Sequence, residues 1–408
     1  MKDKKIHYAW LILAACCVMQ GIGIGIIANC AGIYYSPICQ ELGFSMGELT
    51  FYKTLSGIFS ILSLSLAPIL FRKMDVRALA FVLILVAGGC NFLMAFGTEL
   101  WHWYLLGILQ GCTLTAFSHF LPVTILNNWF NEKIGFAMGL SCAASGGLGM
   151  VMSTQLTRVI EQYGWRASAM LNGAVCVGLA APFVLLVLRR APADMGLLPY
   201  GGEHKTEAAK AAEGGQQAGR RLLTMSFVMV VVFSICAKST VGFAQYLPGY
   251  GASVASLGAK ASLLLTLYMF GNMCFKFFFG YTNDRLGVFR STLLELGTLM
   301  LGLVLLLTHS VTPMLVGAML YGTCAMLSNV QSPLLVRTLG DKEHFAKAYA
   351  RMAMIADASH YISITVFGFV YDLTGRYENM LLICIAFVAI ETLLACALFL
   401  PRRRQAAR

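Results

Sequence analysis

A chain of 408 residues in which 58% are hydrophobic and 12% charged, with a mean hydropathy of +0.72, is too apolar to be a water-soluble domain. It reads as an integral membrane protein. The net charge of +11 invites a nucleic-acid partner, but the positions of the basic residues argue against one.

Windows of roughly 18–25 apolar residues, enough for a helix to cross about 30 Å of hydrocarbon, fit the sequence twelve times. The predicted spans are 8–35, 47–70, 78–97, 101–126, 136–157, 166–189, 224–248, 261–281, 291–309, 312–334, 346–370 and 378–400. If the N-terminus faces inward, twenty-two basic residues fall at cytoplasmic ends and only Arg158, Arg166, Lys260 and Arg376 at outer ends. That is the positive-inside pattern of an even-numbered bundle with both termini in the cytoplasm. The other four, Lys53, Lys238, Lys276 and Arg351, lie within spans. The first apolar run has no small-residue cleavage site and is read as a helix rather than a removable leader. The thirteen cysteines show no paired or metal-like spacing and read as small packing residues, so no metal or cofactor is expected.

The first segment carries Gly21, Gly23, Gly25 and Gly32, which permit close helix approach in lipid, and the amides Gln20 and Asn29. Either amide can touch substrate or bond a neighbouring helix. Lys53 opens the second segment about one and a half turns from its outer end, where a long side chain can reach back to the headgroups, so it is read as an anchor.

The turn after the second segment, APILFRKMDVR, aligns with GYTNDRLGVFR after the eighth at a constant offset of 213 residues. Ala67 stands opposite Gly280, Arg72 opposite Arg285 and Arg77 opposite Arg290. Phe71 stands where the second copy has Asp284, and Met74 where it has Gly287. A decayed repeat of this kind is the mark of a transporter built from two six-helix halves.

The turn built on Gly280, Asp284, Arg285, Gly287 and Arg290 resembles the cytoplasmic gating signature of the major facilitator superfamily, with Arg72 and Arg77 as the remnant of the first copy. WFNEKIGFAMG (Trp129 to Gly139), SGGLG (Ser145 to Gly149), YGWR (Tyr163 to Arg166) and APADMGLLPYG (Ala191 to Gly201) are similar, in order, to the monocarboxylate and oxalate/formate exchanger branch. The resemblance covers nearly the whole chain and implies an all-α fold of twelve transmembrane helices in two pseudo-symmetric halves. It departs from the branch at Ile134, where a second basic residue is usual, at the missing first-turn acid, and in the fourth segment, where Gln110 and His119 are the polar candidates and there is no arginine. In the resembling exchangers a basic residue four positions before the turn glycine contacts the substrate carboxylate, and here that position is Lys276. The usual arginine offers a planar fork, whereas lysine offers a point charge.

The expected division is an N-terminal half at 1–189, a flexible or partly helical cytoplasmic linker at 190–223, and a C-terminal half at 224–408. In the seventh segment Lys238 falls near mid-membrane. In the eleventh, Asp357, His360 and Tyr361 share a face at i, i+3, i+4. Lys276 is about 12 Å along its helix from Asp284, and Asp357 about 15 Å from Lys347. Two opposite charges at one depth in hydrocarbon should pair or share a polar cavity. Lys276 and Lys238, with His119, Asn272 and Asn29, are therefore the substrate-binding candidates, and Asp357 and His360 the proton-coupling or charge-pair candidates. A structural Lys276–Asp357 pair is the competing reading. Gly139, Ala143, Gly146, Gly147 and Gly149 form a smooth stripe suited to sliding or to tight packing. Glu391, in the twelfth segment, has no evident role.

No HExxH, GxSxG or Walker pattern occurs, which argues against a membrane enzyme. The function expected is secondary active transport of a small monocarboxylate-like anion by alternating access, as proton symport or anion exchange, by a monomer in a bacterial inner membrane. A lipophilic-cation or multidrug exporter and a non-transporting nutrient sensor of the same fold are the alternatives. The exporter would need an unpaired acid.

Overall fold

The computed structural model describes residues 7–202, 225–339 and 345–406; the side chains of residues 225, 226, 259, 284, 336–339, 345–350 and 400–406 lie outside the description. Most of the expected linker, 203–223, and the Asp284 side chain are therefore not covered. Helices dominate the described residues. Eleven runs are long and apolar enough to cross a membrane. One of them, Ile134–Val187, is 54 residues long, far more than about 20 residues per crossing requires. It is broken at Gly164, whose φ of 83° and ψ of 166° no helix contains, so it has the length of two crossings and the described residues hold twelve such segments.

The helices are α1 (Ala9–Leu42), α2 (Met46–Lys73), α3 (Val76–Met94), α4 (Leu100–Trp129), α5 (134–163), α6 (165–187) and α7 (Phe227–Ser253). They continue with α8 (Leu263–Leu286), α9 (Val288–Leu306), α10 (Val311–Leu335), α11 (Phe345–Thr374) and α12 (Glu378–Ala406). Large apolar side chains such as Leu62, Leu66, Phe277, Phe278 and Leu393 are more than half exposed. In water that would be a liability, but in lipid the tails are as apolar as the side chains and no hydrophobic force hides them.

By internal contact the chain forms two compact units, Met1–Ala31 with Leu55–Gly214, and Gly32–Thr54 with Gly215–Arg408. The last turns of α1 and the first turns of α2 thus go with the second unit. In the first unit, the motifs around Trp129 and Tyr200 are physically joined. The Tyr200 N–H donates to the Trp129 carbonyl at 2.9 Å, the Tyr200 carbonyl accepts from the N–H groups of Asn131 and Glu132, and the buried Trp129 indole donates to the Arg189 carbonyl at 3.1 Å. Trp10 closes the knot edge-on to Phe130 and Tyr200 at 5.7 and 5.5 Å. The described start of the linker, up to residue 202, is therefore docked rather than free.

The repeat seen in the turns extends to helix irregularities. A 3-10 stretch at Asn29–Tyr34 in α1 is matched 213 residues on by one at Phe243–Tyr246 in α7. A π-helical stretch at Ala116–Phe120 in α4 is matched, within two residues, by one at Leu327–Gln331 in α10. Such wide turns free backbone groups and redirect side chains, and they concentrate at functional sites.

Candidate functional site

The second unit gathers three of the candidate side chains around the seam of α7 and α11. Helix α11 is fastened to α7 by side chains of one face that reach successive α7 carbonyls. The Ser359 hydroxyl donates to Ile235 at 3.3 Å, the His360 ring pairs through Nδ1 with the Lys238 carbonyl at 3.2 Å, and the Ser363 hydroxyl donates to Ser239 at 3.2 Å. Because a carbonyl only accepts, this bond requires a proton on His360 Nδ1, so Nε2 is the acceptor when the ring is neutral. Gly242 is a requirement of the same seam, since a Cβ there would lie 2.3 Å from the Ser363 hydroxyl.

On this seam the Lys238 ammonium meets the Asp357 carboxylate at 2.8 Å and donates to the Asn329 side-chain oxygen at 2.9 Å. The competing reading paired Asp357 with Lys276; equal depth could not tell two lysines on different helices apart, and Lys238 stands directly across the seam. The Asp357 side chain is 51% exposed and that of Lys238 19%. An ionised carboxylate half exposed in the middle of a spanning helix must face water, because lipid contact would be prohibitive. Asn329, which sequence reasoning missed, lies on the π-helical stretch of α10. The 213-residue offset, carried from His119, leads to Ser332, three residues beyond Asn329 on the same helix, so it pointed only to the neighbourhood.

The remaining candidates lie elsewhere. Lys276 is half-buried on α8, and Asn272, one turn before it, is buried with its side-chain oxygen unbonded. Helix α8 is locked against α10 by Gly271 and Gly322, where a Cβ would come within 2.0 Å of the Met319 carbonyl and 2.4 Å of the Asn272 nitrogen. Asn29, half-buried, and His119, exposed on the π-helical stretch of α4, belong to the first unit.

Lys53 departs from expectation. It is 5% exposed instead of extended toward headgroups, with its ammonium 5.0 Å from the centroid of the Tyr52 ring. Its neighbour explains the orientation, since the Thr54 hydroxyl is bonded to α11 through the Tyr361 carbonyl at 3.2 Å and the Thr365 hydroxyl at 2.7 Å. These bonds turn this part of α2 toward α11 and carry Lys53 inward.

The turn residues behave as ends of helices. Arg72, Arg285 and Arg290 are exposed and Arg77 is half-buried. Gly287 closes α8 with a φ of 76°. Gly280 has no atom within 4 Å of where a Cβ would stand. In the first copy, Phe71 fills the position of the missing acid. It is buried, the Arg190 guanidinium stacks 4.4 Å from its ring centroid and bonds its carbonyl, and Asp75 caps α3 by accepting from the Arg77 N–H at 3.0 Å. Beside the second copy, Glu295 is fully buried and accepts from the Ser291 hydroxyl at 3.1 Å, and Gln331 accepts from the Asn283 amide at 3.1 Å.

The sequence model of the Major Facilitator Superfamily matches residues 11–262 and 250–408. The chain belongs to the major facilitator superfamily. Its solved likenesses agree: a mutant form of the nucleoside transporter NupG superposes with a TM-score of 0.74 at 12% identity over 95% of this chain and all of that one, and a bacterial homolog of the human lysosomal transporter Spinster with 0.65 at 12% identity over 98% of each. Among named relatives, the uncharacterized transporter ESBP6 of Saccharomyces cerevisiae is 23% identical over 73% of this chain and 45% of its own length. Monocarboxylate transporter 12 of Mus musculus is 22% identical over 68% of this chain and 61% of its own, and monocarboxylate transporter 11 of Mus musculus 23% identical over 93% and 85%. The chain spans about half of the length of the first of these relatives. As a superfamily member it is a multi-pass membrane protein, and its sequence is similar to those of monocarboxylate transporters.

Proposed function

We propose that this superfamily member carries a small organic anion of the monocarboxylate type by alternating access, as a monomer in a bacterial inner membrane with both termini in the cytoplasm. Lys276 and Lys238 attract the carboxylate, His119, Asn272 and Asn29 supply polar contacts, and Asp357 and His360 carry or compensate a proton. The turn residues Gly280, Asp284, Arg285, Gly287, Arg290, Arg72 and Arg77 serve gating.

The observation that carries this reading is the 2.8 Å contact between Asp357 and Lys238. A carrier of lipophilic cations needs an acid free to receive them, and this water-facing acid is already occupied. Two further acids of the second unit's spans, Glu295 and Glu391, are fully buried and closed to a solute. The names of the relatives point to the same substrate class. Purified protein heated with a panel of monocarboxylates and a panel of lipophilic cations tests the choice. Stabilisation by a carboxylate and by no cation is expected; stabilisation by cations alone would reverse it.

A further inference from the structure

Within the second unit the charges do not balance where the seam of α7 and α11 meets α2. Lys238 is neutralised by Asp357 at 2.8 Å. Lys53 is not: among the described residues its ammonium has no carboxylate within 4.0 Å and no hydrogen-bond acceptor, only the Tyr52 ring at 5.0 Å. Yet it is 95% buried, on a turn of α2 bonded to α11 through Thr54. An ammonium on so buried a residue, with neither counter-ion nor acceptor among the described residues, is costly, and such a charge inside a spanning helix points to a functional partner.

We infer that Lys53 is the uncompensated cation of the transport site and gives its ammonium to the carboxylate of a monoanionic substrate. The inference rests on the organic-anion reading and sharpens it. With Lys238 and Asp357 cancelling, the ammonium of Lys53 is left to meet one carboxylate of the substrate. The tyrosine ring beneath the ammonium leaves one side of the –NH3 group for the anion and offers an apolar wall to its carbon chain.

Counterflow in proteoliposomes with labelled lactate, pyruvate and benzoate tests this, using wild type, Lys53→Met and Lys53→Arg matched by elution profile. Loss of a charge-assisted hydrogen bond predicts that Lys53→Met raises the half-saturation concentration about tenfold or more. Lys53→Arg, which keeps the charge, stays within about threefold of wild type. Should Lys53→Met fail to fold, reductive methylation of the wild-type protein read by mass spectrometry replaces it: the transported anion, at saturation, slows modification at Lys53. Unchanged half-saturation in Lys53→Met, or unchanged Lys53 reactivity, overturns the assignment while leaving the anion reading intact. If wild type moves none of the three anions, the anion reading fails, and the inference with it.

Discussion

Lys238 and Asp357 form a salt bridge at 2.8 Å across α7 and α11, with Asn329 of α10 as the second acceptor for the same ammonium. Three helices of the second unit therefore converge on one nitrogen. Because Asp357 is half exposed, solvent screens the pair, and its worth to stability should be small. A double-mutant cycle of Lys238→Ala and Asp357→Ala, read by chemical or thermal unfolding in detergent, should give a coupling of about 0.2–1 kcal/mol. A coupling of several kcal/mol would make the pair a structural clamp.

Glu391 presents the opposite situation. It is wholly buried on α12, and neither carboxyl oxygen has a hydrogen-bond partner among the described residues. An orphaned buried polar group costs about 1–3 kcal/mol, and an apolar residue of similar length removes that cost. Glu391→Met should therefore unfold at an equal or higher temperature than wild type. A fall of several degrees would show that the carboxyl has a partner the static fold hides.

Asp372, near the end of α11, accepts from the backbone N–H groups of Met46 and Gly47 at 2.8 and 2.7 Å. A residue from another helix thus caps the first turn of α2, which would otherwise leave those donors open. Asp372→Ala should cost about 0.5–2 kcal/mol, measured as a lowered unfolding midpoint. No change would mean that water replaces the carboxylate without loss.

The glycines of α5 separate into two kinds. A Cβ on Gly25 of α1 would lie 2.3 Å from the Ser145 carbonyl and 3.0 Å from the Gly149 nitrogen, so this part of the stripe serves tight packing. Gly139 and Gly147 face open space. Gly25→Ala should lower stability by about 1–3 kcal/mol, whereas Gly139→Ala should be neutral or stabilising, since alanine is the better helix former. Thermal unfolding of the two variants side by side checks the contrast.

Much of the fold was legible because hydrocarbon thickness sets segment length so strictly. The spans predicted for α2, α10, α11 and α12 lie within a few residues of those observed, apart from the longer ends of α11 and α12. The turn repeat predicted paired halves, and matched helix irregularities fall within two residues of the same 213-residue offset. The site was less legible. Rise per residue gives the depth of Lys276, Lys238 and Asp357 but not the rotation of each helix about its neighbours, which decides that Lys238 takes Asp357. Asn329 was invisible because an amide in an apolar helix carries no charge to single it out. Lys53 was misjudged for a related reason: distance from the helix end permits a lysine to reach the headgroups, but the bonds of Thr54 to α11 turn it inward.

The account is tested most directly by counterflow of labelled monocarboxylates into proteoliposomes, with and without a pH gradient, for wild type and Lys276→Ala. Wild type should exchange at least one of the anions, and Lys276→Ala should raise its half-saturation about tenfold or more, as expected for a lost charge-assisted contact. Acceleration by the gradient identifies proton symport, and acceleration by internal anion without a gradient effect identifies exchange. Wild-type vesicles that move no organic anion, or a Lys276→Ala variant with unchanged uptake and affinity, would contradict it.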